Sequence, residues 1–298
     1  MGLGEKERDT LSVLITPLRT EQRITVRLDG GRVSTTQNAG NKTMDFAGKT
    51  VVITGVSSGI GGEVARLARF RGATVIGVDR NDAMLTLDGF IKIDLADPAA
   101  IEAVLAQFPA RIDALINAAG VPGTVDKDLV ARVNYLGLRH LTEALIDRMP
   151  KGASIVNFAS VLGAEWPKRV EQHKALADTK SFEEGRAWLA ENPVHQETCY
   201  QYFKEALIVW TMMRSQALFM EHDIRMNSVA PGPVFTPILG DFVTMVGQDR
   251  VQADSHKMKR PALADEVAGP VLFLCSDDAR WVTGINLPID GGLAAAYT

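Results

Sequence analysis

Tyr200 and Lys204 stand four residues apart in a stretch of helical spacing, so their side chains share one face. A free phenol titrates near ~10 and is a poor base at neutral pH. A lysine ammonium about 5 Å away, at an effective dielectric of about 20, favours the phenolate by roughly 3 kcal/mol, or ~2 pKa units. That moves a tyrosine toward the range of a useful general base. Ser160, just past an apolar run, offers a hydroxyl that could hold a substrate oxygen. Taken alone, Tyr200 and Lys204 read better as an ordinary pair on an amphipathic helix. The rest of the chain has to decide.

Thr54-Gly-Val-Ser-Ser-Gly-Ile-Gly61 joins the β-branched run Val51–Thr54 to a helix. Gly55, Gly59 and Gly61 allow a tight turn and close approach to a pyrophosphate. The helix start, from Ile60, presents unpaired N–H groups and a positive dipole end to an anion. Ser57 and Ser58 add hydroxyl donors. The bland alternative is a capping turn with incidental glycines. A sharper rival is the G-x-S-x-G nucleophile elbow of a serine hydrolase, with Ser57 as nucleophile. Element order opposes it: the motif follows the first strand of the α/β unit, and no H-G-G-G segment precedes it. Asp79 lies 24 residues after Gly55. A carboxylate there accepts from adenosine ribose hydroxyls and repels a 2′-phosphate, so NAD is expected over NADP. Arg80 is the one neighbour that could serve a phosphate.

These groups need a scaffold, and the hydrophobic pattern supplies one. Strands are expected at Val51–Thr54, Ala73–Val78, Phe90–Ile93, Ile112–Asn117, Ser154–Phe158, Ile224–Val229 and Ile285–Ile289. Several are apolar without alternation, as in strands buried on both faces. Helices over about 60–71 and 98–108 alternate with them. The expected fold class is therefore α/β: a single Rossmann-like, doubly wound domain, a seven-stranded parallel sheet with helices on both faces.

The motifs together resemble the short-chain dehydrogenase/reductase family, from about residue 45 to the C-terminus. Thr54–Gly61 resembles the cofactor loop of that family. Asn117-Ala118-Ala119-Gly120 resembles its N-A-G turn, and Asp94-Leu95 the pair near the adenine. Asn134, Ser160, Tyr200 and Lys204 match its four catalytic residues in order. Pro231-Gly232, with Val234 and Thr236 beyond, matches the turn whose neighbours meet the nicotinamide. The resemblance implies an NAD-dependent oxidoreductase in which Tyr200 removes an alcohol proton while hydride leaves the carbinol carbon. It further implies that Lys204 also binds nicotinamide ribose hydroxyls, that Asn134 orders a proton-relaying water, and that the chain forms a homo-oligomer, a dimer being expected. A non-catalytic NAD-binding sensor is the alternative of another class, opposed by the intact Ser160, Tyr200 and Lys204.

Forty residues separate Ser160 from Tyr200, more than most of the family has. The extra segment, about 165–198, is charged and helix-forming. It is expected to be a surface excursion, a lid over the substrate or an alteration of the subunit interface. Gly120–Thr124, Val133–Leu138, Ser160–Pro167, Cys199–Trp210 and Ala230–Ile238 resemble bacterial members of the family that oxidise coniferyl alcohol, a flat phenylpropenyl alcohol, to its aldehyde. That aromatic alcohol is the substrate implied; members acting on 3α-hydroxysteroids, which share an insertion, are the runner-up. Trp166, Phe235, Phe242 and Met245 are candidates for an apolar slot.

Residues 1–43 are rich in Thr, Arg, Gly and Asn and are expected to form a loosely ordered extension. Arg23–Leu28 alternates, and Asp29-Gly30-Gly31 could turn it into a hairpin. Met44 reads as a natural start for a catalytic domain spanning 44–298. Across 298 residues, 46% hydrophobic and 23% charged, the composition is globular. A net charge of −4 gives no field for nucleic acid. Two cysteines exclude a disulfide scaffold, and five scattered histidines make no H-x-x-x-H pair, so no metal is expected. No apolar run approaches the ~20 residues of a membrane helix, and acids crowd the place of a signal sequence, so no membrane association and cytoplasmic residence are expected.

Overall fold

The computed structural model describes Val26–Asp29, Arg32–Thr35 and residues 45–297. The chain divides into two units at Thr43. In the first, β1 (Val26–Asp29) pairs antiparallel with β2 (Arg32–Thr35), the hairpin expected from the alternation. Gly30, Gly31, Met44 and the loose order expected of 1–43 lie outside the described residues.

In the second unit seven strands form one sheet. They are β3 (Thr50–Thr54), β4 (Thr74–Asp79), β5 (Gly89–Lys92), β6 (Ala114–Asn117), β7 (Ser154–Phe158), β8 (Arg225–Pro231) and β9 (Asn286–Ile289). Their order is β5-β4-β3-β6-β7-β8-β9, with every neighbour parallel. The helices are α1 (Gly59–Phe70), α2 (Pro98–Val104), α3 (Lys127–Ala131), α4 (Leu138–Leu145), α5 (Val170–Ala177), α6 (Phe182–Glu191), α7 (Cys199–His222), α8 (Leu239–Val246), α9 (Gln248–Met258) and α10 (Ala264–Cys275). Alternate strand residues feed two separate cores. Val51, Ile53, Ala114 and Ile116 pack with Val64 and Ala65 of α1 and Val271 of α10. Val52 and Leu115 pack on the other side with Leu141 of α4 and Phe203 and Leu207 of α7. This explains why the strands carry unbroken apolar runs.

Local signals set the helix ends. Asp97 caps α2, accepting from the Ala99 N–H, with Pro98 in the first turn. The helix expected to reach residue 108 relaxes after Val104 into a 3₁₀ turn over Leu105–Gln107. Asp223, left-handed at φ 56°, closes α7 after 24 residues. Strand order reverses direction around β3, between β4 and β6. The crevice beyond the carboxyl ends of these strands is where a doubly wound sheet takes a ligand.

The segment 165–198 is helical, as expected, but it is no loose excursion. Arg139 of α4 donates to the Leu176 carbonyl (3.1 Å), the Thr179 hydroxyl (2.9 Å) and the Ser181 carbonyl (2.9 Å), holding the α5–α6 connection. Phe182 is buried, edge-on to His140 at 6.3 Å. The segment thus lies on the face made by α4 and α7.

Candidate active site

The loop from β3 into α1 is built by close backbone approach. Gly55 sits at φ +75°, and a Cβ there would meet the Ala119 nitrogen at 2.7 Å. A Cβ on Gly61 would stand 2.2 Å from the Gly55 carbonyl. Both positions exclude a side chain. Ser58 precedes α1 in extended backbone without a side-chain cap, leaving the first-turn N–H groups to face the crevice. Asp79, at the end of β4, accepts from the Ser57 N–H (3.0 Å) and the Asn81 N–H (2.9 Å).

Along this loop runs a cavity of about 290 Å³. Gly55, Ser57, Ser58, Gly59, Ile60, Gly61, Asp79, Asp94, Leu95, Ala118, Gly120 and Thr236 line it, as does the exposed Arg80. It continues past Ile60, Gly120 and Thr236 into a second cavity of about 120 Å³, lined by Ser160, Tyr200, Lys204, Pro231, Gly232, Val234 and Phe242. An elongated ligand bearing phosphates would fit the first, with its reacting end beside Tyr200 in the second.

Ser160 heads a 3₁₀ turn and accepts from the Leu162 N–H at 3.2 Å. Its hydroxyl also bonds Tyr200, favouring the phenolate, but burial outweighs this and holds the phenol well above its ordinary value. The lysine does not act as the spacing suggests. Lys204 Nζ donates to the Phe158 carbonyl at 2.6 Å and stands 5.6 Å from the centroid of the Tyr200 ring. It is seated on backbone rather than at the phenol oxygen, and burial pulls it down to about 8.

Asn134 lies in a π-helical turn, Arg132–Gly137. Its amide brackets Val121, accepting from the backbone N–H at 2.8 Å and donating to the carbonyl at 2.9 Å. A Cβ on Gly120 would stand 3.4 Å from Asn134 Oδ1 and 3.8 Å from Lys204 Nζ, so these three groups converge.

Other expected residues are placed differently. Asn117 does not line either cavity. Its amide donates to Thr142 Oγ1 and Asn157 Oδ1, each at 2.9 Å, and Asn157 donates on to Thr211 Oγ1. It braces β6 against β7 and α4 from beneath. Trp166 and Phe235 also stay outside both cavities, Phe235 being 52% exposed. Met245 accepts from the Gly123 N–H at 3.1 Å on a neighbouring surface pocket. Phe242 alone of these four enters the site, edge-on to Tyr200 at 5.2 Å. Sequence reasoning missed Ile93, Val121, Phe158 and Ile238. Each adjoins or lies within two residues of a residue in the motifs, which is the signal that could have found them. Ser57 bonds Asp79 through its backbone, and no histidine lines either cavity, so the hydrolase reading fails. No residue of 165–198 lines them either, which argues against a lid.

Residues 49–171 match the short chain dehydrogenase family, and residues 187–294 the family described as Enoyl-(Acyl carrier protein) reductase. With this fold and crevice, the chain belongs to the short-chain dehydrogenase/reductase family and is an oxidoreductase acting on the CH–OH group of donors. It is 59% identical over 254 residues to coniferyl-alcohol dehydrogenase of a Pseudomonas species, covering 85% of this chain and 100% of that one. It is 30% identical over 256 residues to 3-alpha-hydroxysteroid dehydrogenase/carbonyl reductase of Comamonas testosteroni, covering 82% of this chain and 96% of that one. The crystal structure of 3-alpha-hydroxysteroid dehydrogenase from Pseudomonas sp. B-0831, complexed with NADH, superposes with a TM-score of 0.70 at 30% identity, covering 84% of this chain and 98% of that one. Dehydrogenases of the family take a nicotinamide dinucleotide. Among the described residues no helix is long and apolar enough to cross a membrane.

Proposed function

We propose that the protein oxidises coniferyl alcohol, or a closely similar flat aryl-allylic alcohol, to its aldehyde with NAD. The observation that carries the reading is the 59% identity with coniferyl-alcohol dehydrogenase across the whole catalytic unit. The small second cavity, lined by Ser160, Tyr200 and, packed edge-on against Tyr200, Phe242, supports an aromatic substrate.

The glycine loop, Asp79, Asp94 and Leu95 would hold the dinucleotide, with Pro231, Gly232, Val234 and Thr236 beside its reacting end. Bound there, the nicotinamide supplies the acceptor for hydride from the carbinol carbon. Ser160 holds the alcohol oxygen by hydrogen bonding. Tyr200 takes the hydroxyl proton as the carbon–oxygen double bond forms. Its raised affinity for that proton in the cofactor-free site makes an added positive charge nearby necessary before it can release one at neutral pH. Lys204 supplies charge once drawn from Phe158 toward ribose hydroxyls, and Asn134 orders the relay water. Asp79 would accept from the adenosine ribose hydroxyls and oppose a 2′-phosphate, which favours NAD. The protein acts in the cytoplasm as a homo-oligomer, with the interface at the helix carrying Tyr200 and Lys204 altered by residues 165–198.

Purified protein given coniferyl alcohol and a 3α-hydroxysteroid, each with NAD and with NADP, tests the reading through NADH or NADPH absorbance. Preference for coniferyl alcohol with NAD is expected. Preference for the steroid, to which two of the compared relatives point, would overturn the substrate while leaving the family intact.

A further inference from the structure

Beyond Phe242 the substrate cavity opens into a third, smaller space of about 40 Å³. Ser160, Gly232 and Phe242 line both, so the two spaces adjoin at Phe242. Leu239, Val246 and Leu293 make the far walls apolar. Its end is not apolar. Asp254 of α9 lines it while being only 8% exposed.

The carboxylate is incompletely used. One oxygen accepts from the Tyr297 hydroxyl. The other forms a long ion pair with Arg250 Nε at 3.8 Å, Arg250 lining the same space. A carboxylate buried beside apolar walls is costly unless donors reach it. This one has acceptor capacity to spare and lines the same space as Ser160, which holds the substrate oxygen.

We propose that Asp254 selects substrates carrying a hydroxyl at the ring end remote from the carbinol. This rests on the proposed alcohol oxidation at Tyr200 and deepens it. With the carbinol oxygen at Ser160, a flat ring passes Phe242 and turns its distal edge toward Asp254. A phenolic O–H there donates to the carboxylate in a charge-assisted bond. A bare ring brings no donor to it. A carbonyl at the same place brings only an acceptor, which the carboxylate repels.

The test compares coniferyl alcohol with cinnamyl alcohol, which has the same carbinol and no ring hydroxyl, as kcat/KM with NAD. The wild type should prefer coniferyl alcohol by about tenfold or more, from the typical strength of a hydrogen bond to a charged group. Asp254→Ala should lower kcat/KM for coniferyl alcohol by about 10- to 100-fold and leave cinnamyl alcohol within about twofold. Asp254→Asn, which keeps an acceptor, should retain part of the preference and covers the case of a poorly folded alanine variant. Tyr297→Phe should retain the preference, since the carboxylate stays. Equal kcat/KM for the two alcohols in the wild type would overturn the inference and leave the proposed function standing. Equal losses on both alcohols in Asp254→Ala and Tyr297→Phe would reduce Asp254 to an anchor for the C-terminus. Oxidation of neither alcohol by the wild type would remove the proposed function, and this inference with it.

Discussion

His173 Nε2 and Glu205 Oε2 stand 2.8 Å apart, both side chains fully buried. Glu205 follows Lys204 on α7, and His173 belongs to α5, so the bond ties residues 165–198 to the helix that carries the catalytic pair. Arg169 adds a two-pronged contact to the same carboxylate. A buried carboxylate is tolerable because all these donors converge on it, and removing it strands them.

Replacing Glu205 with alanine should therefore lower stability by about 3–5 kcal/mol. Urea unfolding of wild type and variant measures this. A loss below about 1 kcal/mol would reduce the network to the worth of a surface ion pair.

Asp79→Asn should shift cofactor choice. The amide oxygen still accepts from the Ser57 N–H, as Asp79 does at 3.0 Å, at the loss of the bond from the Asn81 N–H. It no longer repels a 2′-phosphate, and Arg80 lines the same cavity. The NAD-to-NADP ratio of kcat/KM should fall by about tenfold or more, each tenfold being about 1.4 kcal/mol of lost repulsion. An unchanged ratio would show that another group sets the preference.

Lys204 gives a pH signature. Burial lowers it from 10.5 to about 8, so between those values the native lysine has released a proton that the unfolded chain still binds. The unfolded state holding more protons means that stability rises with pH in this window. Below about pH 8 both states are charged and the slope vanishes. Cofactor-free wild type should gain up to about 3 kcal/mol relative to Lys204→Met between these limits. Parallel stability curves for the two proteins, followed by denaturant unfolding, would contradict that placement.

The sheet was legible because a parallel sheet covered on both sides turns Val51–Ile53 and Leu115–Ile116 into unbroken apolar runs. The cofactor loop was legible because Gly55 and Gly61 meet backbone too closely for any Cβ. Side-chain direction was not. The amide of Asn117 points away from the cavity because Thr142 and Asn157, 25 and 40 residues later, take its protons. The seat of Lys204 is the Phe158 carbonyl, a backbone group that no residue pattern marks. Docking of residues 165–198 depends on Glu205, whose helix reads from sequence only as a carrier of Tyr200 and Lys204.

The most direct test is Tyr200→Phe, which removes one oxygen and keeps the ring packed edge-on to Phe242. Turnover of coniferyl alcohol and NADH affinity would be measured on the same preparation. Loss of turnover by about 10²- to 10⁴-fold, with NADH affinity within about twofold of wild type, is the predicted result for a general base. Turnover at the wild-type rate would contradict the account.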